Sequence, residues 1–258
     1  MVSDSRRPPM PHPLQPLADL PEVALAAESA RAAVDRLLRH RILRRRSGEL
    51  IAESALRGAR ASAALDGVNW PLEAVRNVAS PPPDADAALV HGALRISAEL
   101  GALAAVWRRA PLQALARLHV LAAADLLPAP DLGRPAVGGP RLAALADLVS
   151  RPPGVPAVVE AAVVHGELLA LAPFPVGGGL VARAAQRLVL ITRGLDPKSM
   201  VAVEVGHVAA GERYLATAVA YRDGSPSAVA DWLVHCAEAV EAGAVDGLAF
   251  CEAQSRAS

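Results

Sequence analysis

The segment 172–183, APFPVGGGLVAR, places three consecutive glycines after an apolar run and before a stretch with helical periodicity. Backbone N–H groups of successive glycines at the start of a helix form a concavity that binds anions, and the helix dipole strengthens it. Arg183 follows Gly179 by about one helical turn and could face the same anion. No lysine, serine, threonine, histidine or acid lies among the glycines. The segment therefore predicts either an anion-binding loop at Gly177, Gly178 and Gly179 or a tight turn that requires positive φ.

The same glycines formally satisfy the G-x-G-x-x-G/A fingerprint of dinucleotide-binding proteins over residues 177–182. Asp196 then lies where that fingerprint expects a ribose ligand. However, the fingerprint must follow a short β-strand, whereas the run before it contains Glu160, His165 and Glu167 and is typical of a helix. A dinucleotide-dependent oxidoreductase is therefore the weakest interpretation. The sequence motif of the phosphate-binding loop of nucleoside triphosphatases is absent, because no Gly-Lys-Ser/Thr occurs.

The composition predicts a helical protein without an electrostatic preference for nucleic acid. The 258-residue chain has a formal net charge of zero and only 3% aromatic residues, and its apolar share is dominated by alanine, leucine and valine. The two cysteines, Cys236 and Cys251, form no CxxC or Cys/His pattern in the sequence, so we predict neither a disulfide framework nor a metal site. No signal peptide or uncharged 18-residue apolar segment is evident, which favours a cytoplasmic protein without a membrane partner.

The organisation predicted along the chain is a single helical domain with extensions. Residues 1–21 are proline-rich and predict a disordered arm. Residues 22–80 predict N-terminal helices, residues 86–245 the core, and residues 246–258 a tail. Short connections between about nine helical segments predict an all-α fold. At most a small β-hairpin or extended flap is expected in the turn-rich segment 128–140.

The order of these elements resembles the Fic (Fido) family over residues 50–245. A helix containing Leu118 and His119 precedes a Gly-Arg-Pro turn, and the next helix leads into the Pro-Phe and glycine loop. The family motif is His-Pro-Phe-x-Asp/Glu-Gly-Asn-Gly-Arg-x-x-Arg. Aligned without gaps on residues 172–183, it agrees at Pro173, Phe174, Gly177, Gly179 and Arg183.

The departures from the family motif fall on its chemical positions. Ala172 replaces the histidine that acts as general base, and Val176 replaces the acid that holds Mg²⁺. Gly178 and Leu180 replace the asparagine and the first arginine, which contact phosphates. A methyl group cannot accept a proton and valine cannot bind a hard cation, so no catalytic residue is assigned and Mg²⁺ is not expected.

The resemblance therefore implies a catalytically degenerate Fic-like protein that lacks AMP transfer to protein hydroxyls and has a binding or regulatory role. ATP or another nucleotide remains a possible ligand, and the partners expected are an unidentified protein and a second copy of the chain. The alternative is a transferase of nucleotidyl or phosphate groups with altered chemistry, which would depend on substrate positioning.

Three other histidines are weaker candidates for a general base. His165 lies seven residues before Ala172, about 10 Å away if the helix continues, which is too far for direct replacement. His91 and His119 lie within helical apolar patterns, where a structural role is expected.

A second motif carries the resemblance further. Many family members have an inhibitory helix with Ser/Thr-x-x-x-Glu-Gly/Asn, whose glutamate pairs with the second arginine of the main motif. This chain has Ser62, Asp66 and Gly67 at that spacing, with aspartate in place of glutamate. The resemblance predicts that Asp66 pairs with Arg183 and holds the N-terminal helix on the core. The alternative is that Asp66 and Gly67 only end a helix; the two are compatible.

Overall fold

The computed structural model describes residues 11–256 and contains twelve α-helices with no β-strand in that span. Two short 3-10 helices, Arg41–Arg44 and Ala129–Asp131, lie between them. The predicted all-α class is therefore confirmed. The helices are α1 (Gln15–Ala18), α2 (Pro21–Leu38), α3 (Ser47–Leu65), α4 (Leu72–Arg76), α5 (Ala85–Arg109), α6 (Pro111–Ala123), α7 (Gly139–Ser150), α8 (Ala157–Leu171), α9 (Gly178–Thr192), α10 (Val203–Ala209), α11 (Glu212–Tyr221) and α12 (Pro226–Arg256).

The two long terminal helices, α2 and α12, pack along one another, and α12 also contacts α8, α10 and α11. Pro21 occupies the first turn of α2, where its missing N–H leaves no hydrogen bond unmade. Apolar residues then recur every three or four positions and form one buried face. The buried residues of this face are Val23, Ala27, Ala30, Ala33, Val34 and Leu37.

Helix α5 packs against α3, α6 and α9. Asp84 caps its start by accepting a hydrogen bond from the Ala87 N–H at 2.8 Å. A Cβ at Gly92 would lie 2.3 Å from the Ala122 carbonyl oxygen, so glycine permits the close approach of α5 and α6. Within residues 11–256, α5 is the one helix long and apolar enough to cross a membrane. Its packing is that of a core helix in a helical bundle.

The N-terminal helices share one hydrophobic core with the rest of the domain. Helix α3 contacts α5, α9 and α10, and buried residues of α2 and α3 join one apolar cluster with those of α8, α9 and α12. This arrangement places α3 directly against α9, the helix that follows the glycines.

Both predicted extensions differ from the structure. The predicted disordered arm is wrong for residues 11–21, because α1 forms there and Leu14 and Ala18 are buried in the core; residues 1–10 lie outside the described chain. The predicted tail is wrong up to residue 256, because α12 continues through it and buries Cys251. In both segments, apolar residues pack against helices that are distant in the sequence.

Of the two alternatives for residues 128–140, the β-hairpin does not form and the extended flap is present. The segment forms the second 3-10 helix followed by a loop, and α7 begins at Gly139. One backbone hydrogen bond ties this loop to the glycine motif, since the Ala136 N–H donates to the Pro173 carbonyl oxygen at 2.8 Å. The segment thus lies beside the motif as an extended flap without strand pairing.

Candidate functional site

The loop 172–177 joins α8 to α9 through two left-handed residues. Ala172 has φ 46° and ends α8, and Gly177 has φ 69° and precedes the first turn of α9. Between them Phe174 is buried and stacks on His119, with ring centroids 4.3 Å apart. The tight turn expected from the glycines is confirmed, because Gly177 adopts the positive φ that glycine accommodates without strain.

The two glycines that open α9 differ in their surroundings. A Cβ at Gly178 would meet nothing closer than the Phe174 Cβ at 3.8 Å. A Cβ at Gly179 would lie 2.4 Å from Asp66 Oδ1. The Asp66 carboxylate therefore lies against the N-terminal turn of α9, where the helix dipole favours negative charge. The Asp66 side chain therefore lies beside the glycines that were predicted to bind an external anion.

Ser62, Asp66 and Arg183 form a polar contact between α3 and α9 that we call the latch. Arg183 Nη2 lies 2.8 Å from Asp66 Oδ1, as the sequence predicted. Its Nε donates to Ser62 Oγ at 2.8 Å, and Nη2 also donates to the Ser62 carbonyl oxygen at 3.0 Å. Nη1 donates a longer bond of 3.4 Å to the Tyr214 hydroxyl. The latch therefore satisfies a guanidinium that would otherwise be buried without a counter-charge.

The end of α3 delivers Asp66 to this position. Gly67 has φ 99°, and the Val68 N–H donates to the Ala63 carbonyl oxygen at 3.0 Å, which closes the helix with a left-handed glycine. The alternative predicted for Asp66 and Gly67, a helix terminus, is thus also present. The shorter aspartate side chain can reach Arg183 because Gly179 has no Cβ in its path.

The electrostatics of the latch are asymmetric. The Arg183 side chain is 2% exposed, whereas that of Asp66 is 24% exposed. Burial lowers the pKa of Arg183, but the Asp66 carboxylate and the Tyr214 hydroxyl raise it further, and the net pKa lies above the ordinary arginine value. Arg183 is therefore the buried cation that depends on its partner, and Asp66 is the partner with access to water.

The four positions that depart from the family motif bring no ionisable group to the loop. Leu180 is buried in the core, Val176 and Gly178 are partly exposed, and Ala172 is exposed. None of them offers a proton acceptor or a ligand for a hard cation. Of the charged side chains that the motif specifies, the loop and the start of α9 retain only Arg183.

A groove of about 170 Å³ remains beside the latch. Besides Asp66 and Arg183, its lining includes Gly179, Leu169 and Arg222. Sites for drug-sized ligands have volumes of about 300–1,000 Å³. The groove beside the latch is smaller than such sites.

The histidines proposed as structural from the sequence have such environments. His119 is buried, and its Nδ1 accepts a hydrogen bond from the Gly133 N–H at 2.9 Å. Burial lowers the pKa of His119, which keeps it neutral. His91 Nδ1 lies 3.9 Å from Asp125 Oδ2 at the end of α6.

Sequence reasoning missed a buried cluster of three histidines and a cysteine, which we call the histidine cluster. We expected no Cys/His grouping, yet His165, His207, His235 and Cys236 lie together because α8, α10 and α12 meet there. Burial lowers the pKa of His165 and His207 well below the usual value and that of His235 to about 4. Burial also raises the pKa of the Cys236 thiol. Only the adjacent His235-Cys236 pair was visible in the sequence.

The dinucleotide interpretation is wrong. It requires a parallel β-sheet, and residues 11–256 contain no strand. Asp196, its expected ribose ligand, is buried and accepts hydrogen bonds from the Met200 and Val201 N–H groups at 2.9 and 2.8 Å. It orders the loop after α9.

The sequence matches no protein-family model and no curated protein at a significant level. The structure is similar to a Fic family protein from Desulfovibrio desulfuricans G20, with a TM-score of 0.66 at 17% identity over 89% of this chain and 75% of that one. It is also similar to a fragment of Fic-1 from C. elegans, with a TM-score of 0.68 at 16% identity over 91% of this chain and 74% of that one. At this identity the likeness establishes the fold, which agrees with the arrangement of α3, α8 and α9 described above. The chain has the Fic fold.

Proposed function

We propose that this Fic-fold chain is a catalytically degenerate protein with a binding or regulatory role. The observation that carries the proposal is the latch, since the Asp66 carboxylate lies against Gly179 and Arg183 at the start of α9. The chain thereby supplies its own anion to the place where the Fic motif would receive a phosphate. An intramolecular carboxylate held in this way competes with any external phosphate.

The side chains of the loop support the same proposal. Transfer of an AMP group to a hydroxyl needs a base for the hydroxyl proton and neutralisation of the phosphate charge. A general base contributes about 10²–10⁴-fold to a rate, and Ala172 provides none. Val176 offers no ligand to Mg²⁺, and Leu180 packs in the core where the motif has its first arginine. The deficits act on the same transition state, so the loss in rate is large.

A second candidate is a transferase of nucleotidyl or phosphate groups with altered chemistry. It is favoured by the retention of Arg183 and by the groove, where Arg222 adds a second cation beside Asp66. Release of Asp66 would free Arg183 for a phosphate. Such an enzyme would depend on positioning of its substrate. A cytoplasmic location, a protein partner and self-association remain predictions of the sequence.

A nucleotide panel tests the proposal. The wild-type chain and its Asp66→Ala and Arg183→Ala variants are mixed with ATP, ADP, GTP, CTP or NAD, with and without Mg²⁺, and followed by thermal unfolding and calorimetry. A ligand at 100 times its Kd stabilises a folded protein by about 2.7 kcal/mol. We expect no shift for the wild-type chain.

Labelled nucleotides then distinguish the two candidates. Incorporation of label into the chain or into an added protein, lost in Arg183→Ala, would contradict the non-catalytic proposal and support the altered transferase. Binding by Asp66→Ala without incorporation would support a latch that excludes nucleotide from a pocket without chemistry.

A further inference from the structure

The histidine cluster is separate from the proposed function and contains a set of metal-ligand side chains. His165 comes from α8, His207 from α10 and Cys236 from α12, and all three are fully buried. One ligand atom from each, a ring nitrogen or the sulfur, lies within 4.8 Å of the others. A metal ion bound at about 2.0–2.3 Å holds its ligand atoms roughly 3.5 Å apart, so closure by about 1 Å completes the geometry.

The hydrogen bonds of the cluster leave donors or acceptors unused. His165 Nε2 lies 3.1 Å from the Tyr214 hydroxyl, and His207 Nε2 lies 3.0 Å from Gln186 Oε1. His207 Nδ1 lies 3.0 Å from His235 Nε2. His165 Nδ1 and the neighbouring Gln186 Nε2 are both buried, and neither atom makes a hydrogen bond with the described residues. A buried polar atom without a partner is unfavourable, and a metal ion bound at His165 Nδ1 would satisfy it.

The partners of the ring nitrogens match the outer shell of a metal site. Histidine ligands of metals usually donate their second ring N–H to an oxygen acceptor, which orients the ring and sets the tautomer. The Tyr214 hydroxyl can accept from His165 Nε2, and the Gln186 amide oxygen can accept from His207 Nε2. His165 then presents the Nδ1 lone pair. The Nδ1 of His207 lies 3.0 Å from His235 Nε2, so metal binding there replaces this contact, and His235 is then close enough to join as a fourth ligand.

The donor atoms and the charge of the surroundings favour one kind of metal ion. Two imidazoles and a thiolate are nitrogen and sulfur donors, which bind Cu(I) and Zn(II) and exclude Mg²⁺ and Ca²⁺. With a thiolate, Zn(II) leaves one net positive charge in the site and Cu(I) leaves none. The site is buried beside the cationic Arg183, which contacts the Tyr214 hydroxyl that His165 also contacts. An additional buried positive charge there is unfavourable, so a neutral complex is preferred.

We propose that His165, His207 and Cys236 form a buried binding site for a monovalent thiophilic metal ion, Cu(I). Binding replaces the proton of the Cys236 thiol by the metal, and one proton passes to solvent. Because all three ligands are inaccessible in the folded chain, the ion enters during folding or through a local opening of α10 and α12.

Metal uptake by the full chain tests the proposal. The metal-free protein is unfolded and refolded without oxygen, in the presence of Cu(I) supplied by a colorimetric chelator, or in the presence of Zn(II). We expect one Cu(I) per chain, a raised unfolding temperature, and an X-ray absorption spectrum at the copper edge with one bound sulfur and at least two bound nitrogens. Zn(II) bound more tightly than Cu(I) at these residues would overturn the assignment of the metal.

Matched variants locate the ion. Cys236→Ser should weaken binding by about 100-fold or more, and Tyr214→Phe, which removes an outer-shell acceptor, by about 10–100-fold. Cys251→Ser is the control, because Cys251 is also a buried thiol of α12 but lies outside the cluster. His207→Gln supplies a second ligand deletion if Cys236→Ser fails to refold. Equal uptake by wild type, Cys236→Ser and His207→Gln, or loss of uptake in Cys251→Ser, would overturn the proposal.

Discussion

The loop 172–183 and the histidine cluster are opposite cases of how chemistry is encoded in this chain. The loop is contiguous, and its glycines and Arg183 are recognisable at fixed spacing, yet Arg183 is the one ionisable residue in it. The cluster has ionisable and metal-ligand side chains in abundance, yet its members come from three helices and have no sequence signature. Spacing along a chain reports backbone geometry, whereas chemistry depends on which side chains the packing of helices brings together.

The largest effect expected concerns acid stability and the histidine cluster. In the metal-free chain burial lowers the pKa of the three histidines below that of the unfolded state, so the unfolded chain binds more protons as the pH falls below about 6.5. Stability is complete above that pH and decreases as the pH falls. His235 alone, whose folded pKa is about 4, accounts for roughly 2–3 kcal/mol of this loss by pH 4, and His165 and His207 add to it.

Urea unfolding between pH 7 and pH 4 measures this loss. His235→Gln should flatten the profile. An unchanged slope in His235→Gln would show that the acid sensitivity arises elsewhere.

The latch provides the next effect. Asp66→Ala should reduce the free energy of unfolding by about 3 kcal/mol, the lower end of the range for breaking a buried ion pair, because Arg183 stays buried and loses its counter-charge. Asp35→Ala, which removes a partner from the exposed pair with Arg39, should change stability by less than about 1 kcal/mol. Chemical unfolding of both variants makes the comparison. Similar losses would mean that the latch is no stronger than a surface pair.

The glycines of the loop test how closely α3 and α9 approach. Gly179→Ala should destabilise the chain by about 1–3 kcal/mol, because its Cβ would displace Asp66 from Arg183. Gly178→Ala is the matched control, since its Cβ has room, and alanine in a helix should stabilise by up to about 1 kcal/mol. Thermal unfolding of the pair gives the sign of each change. Two changes of the same sign would contradict the contact between Gly179 and Asp66.

The smallest effect expected is that of restoring one chemical group to the loop. Ala172→His returns the base of the family motif at an exposed position whose left-handed conformation histidine tolerates better than most residues. We expect no label transfer from nucleotide and a stability change within about 0.5 kcal/mol, because Val176 and Leu180 still leave phosphate charge without partners. Measurable transfer by the single variant would show that the phosphate contacts are supplied by other residues.

The fold was predictable because its helices are strongly periodic and rich in alanine and leucine. The errors fall where local composition and distant packing disagree. The arm was expected to be disordered because of its prolines, but Leu14 and Ala18 bury against the core. The tail was expected to lie beyond the core, but the small residues of α12 permit close contact with α2, as at Gly247, where a Cβ would lie 3.1 Å from Leu37.

The candidate site was predictable only in part, because its motifs are local in the sequence but the distances between its helices are not. The pairing of Asp66 with Arg183 followed from two motifs at positions set by the resemblance, and the structure contains it at 2.8 Å. The closeness of Asp66 to Gly179 could not be predicted, because it depends on the distance between two helix axes. The contact between the flap and the loop could not be predicted either. It is a hydrogen bond between backbone atoms of Ala136 and Pro173, which residues of almost any type could form.

Residue type and local spacing were enough to predict the all-α class and to offer a tight turn at the glycines as one of two interpretations. They also show that positions 172, 176, 178 and 180 carry only apolar residues or glycine. The packing of the helices was needed to show that Asp66 lies against Gly179 and that His165, His207 and Cys236 meet in one buried cluster. Both depend on where separate helices cross, and those crossings follow from the packing of many apolar side chains at once, which no short stretch of sequence encodes.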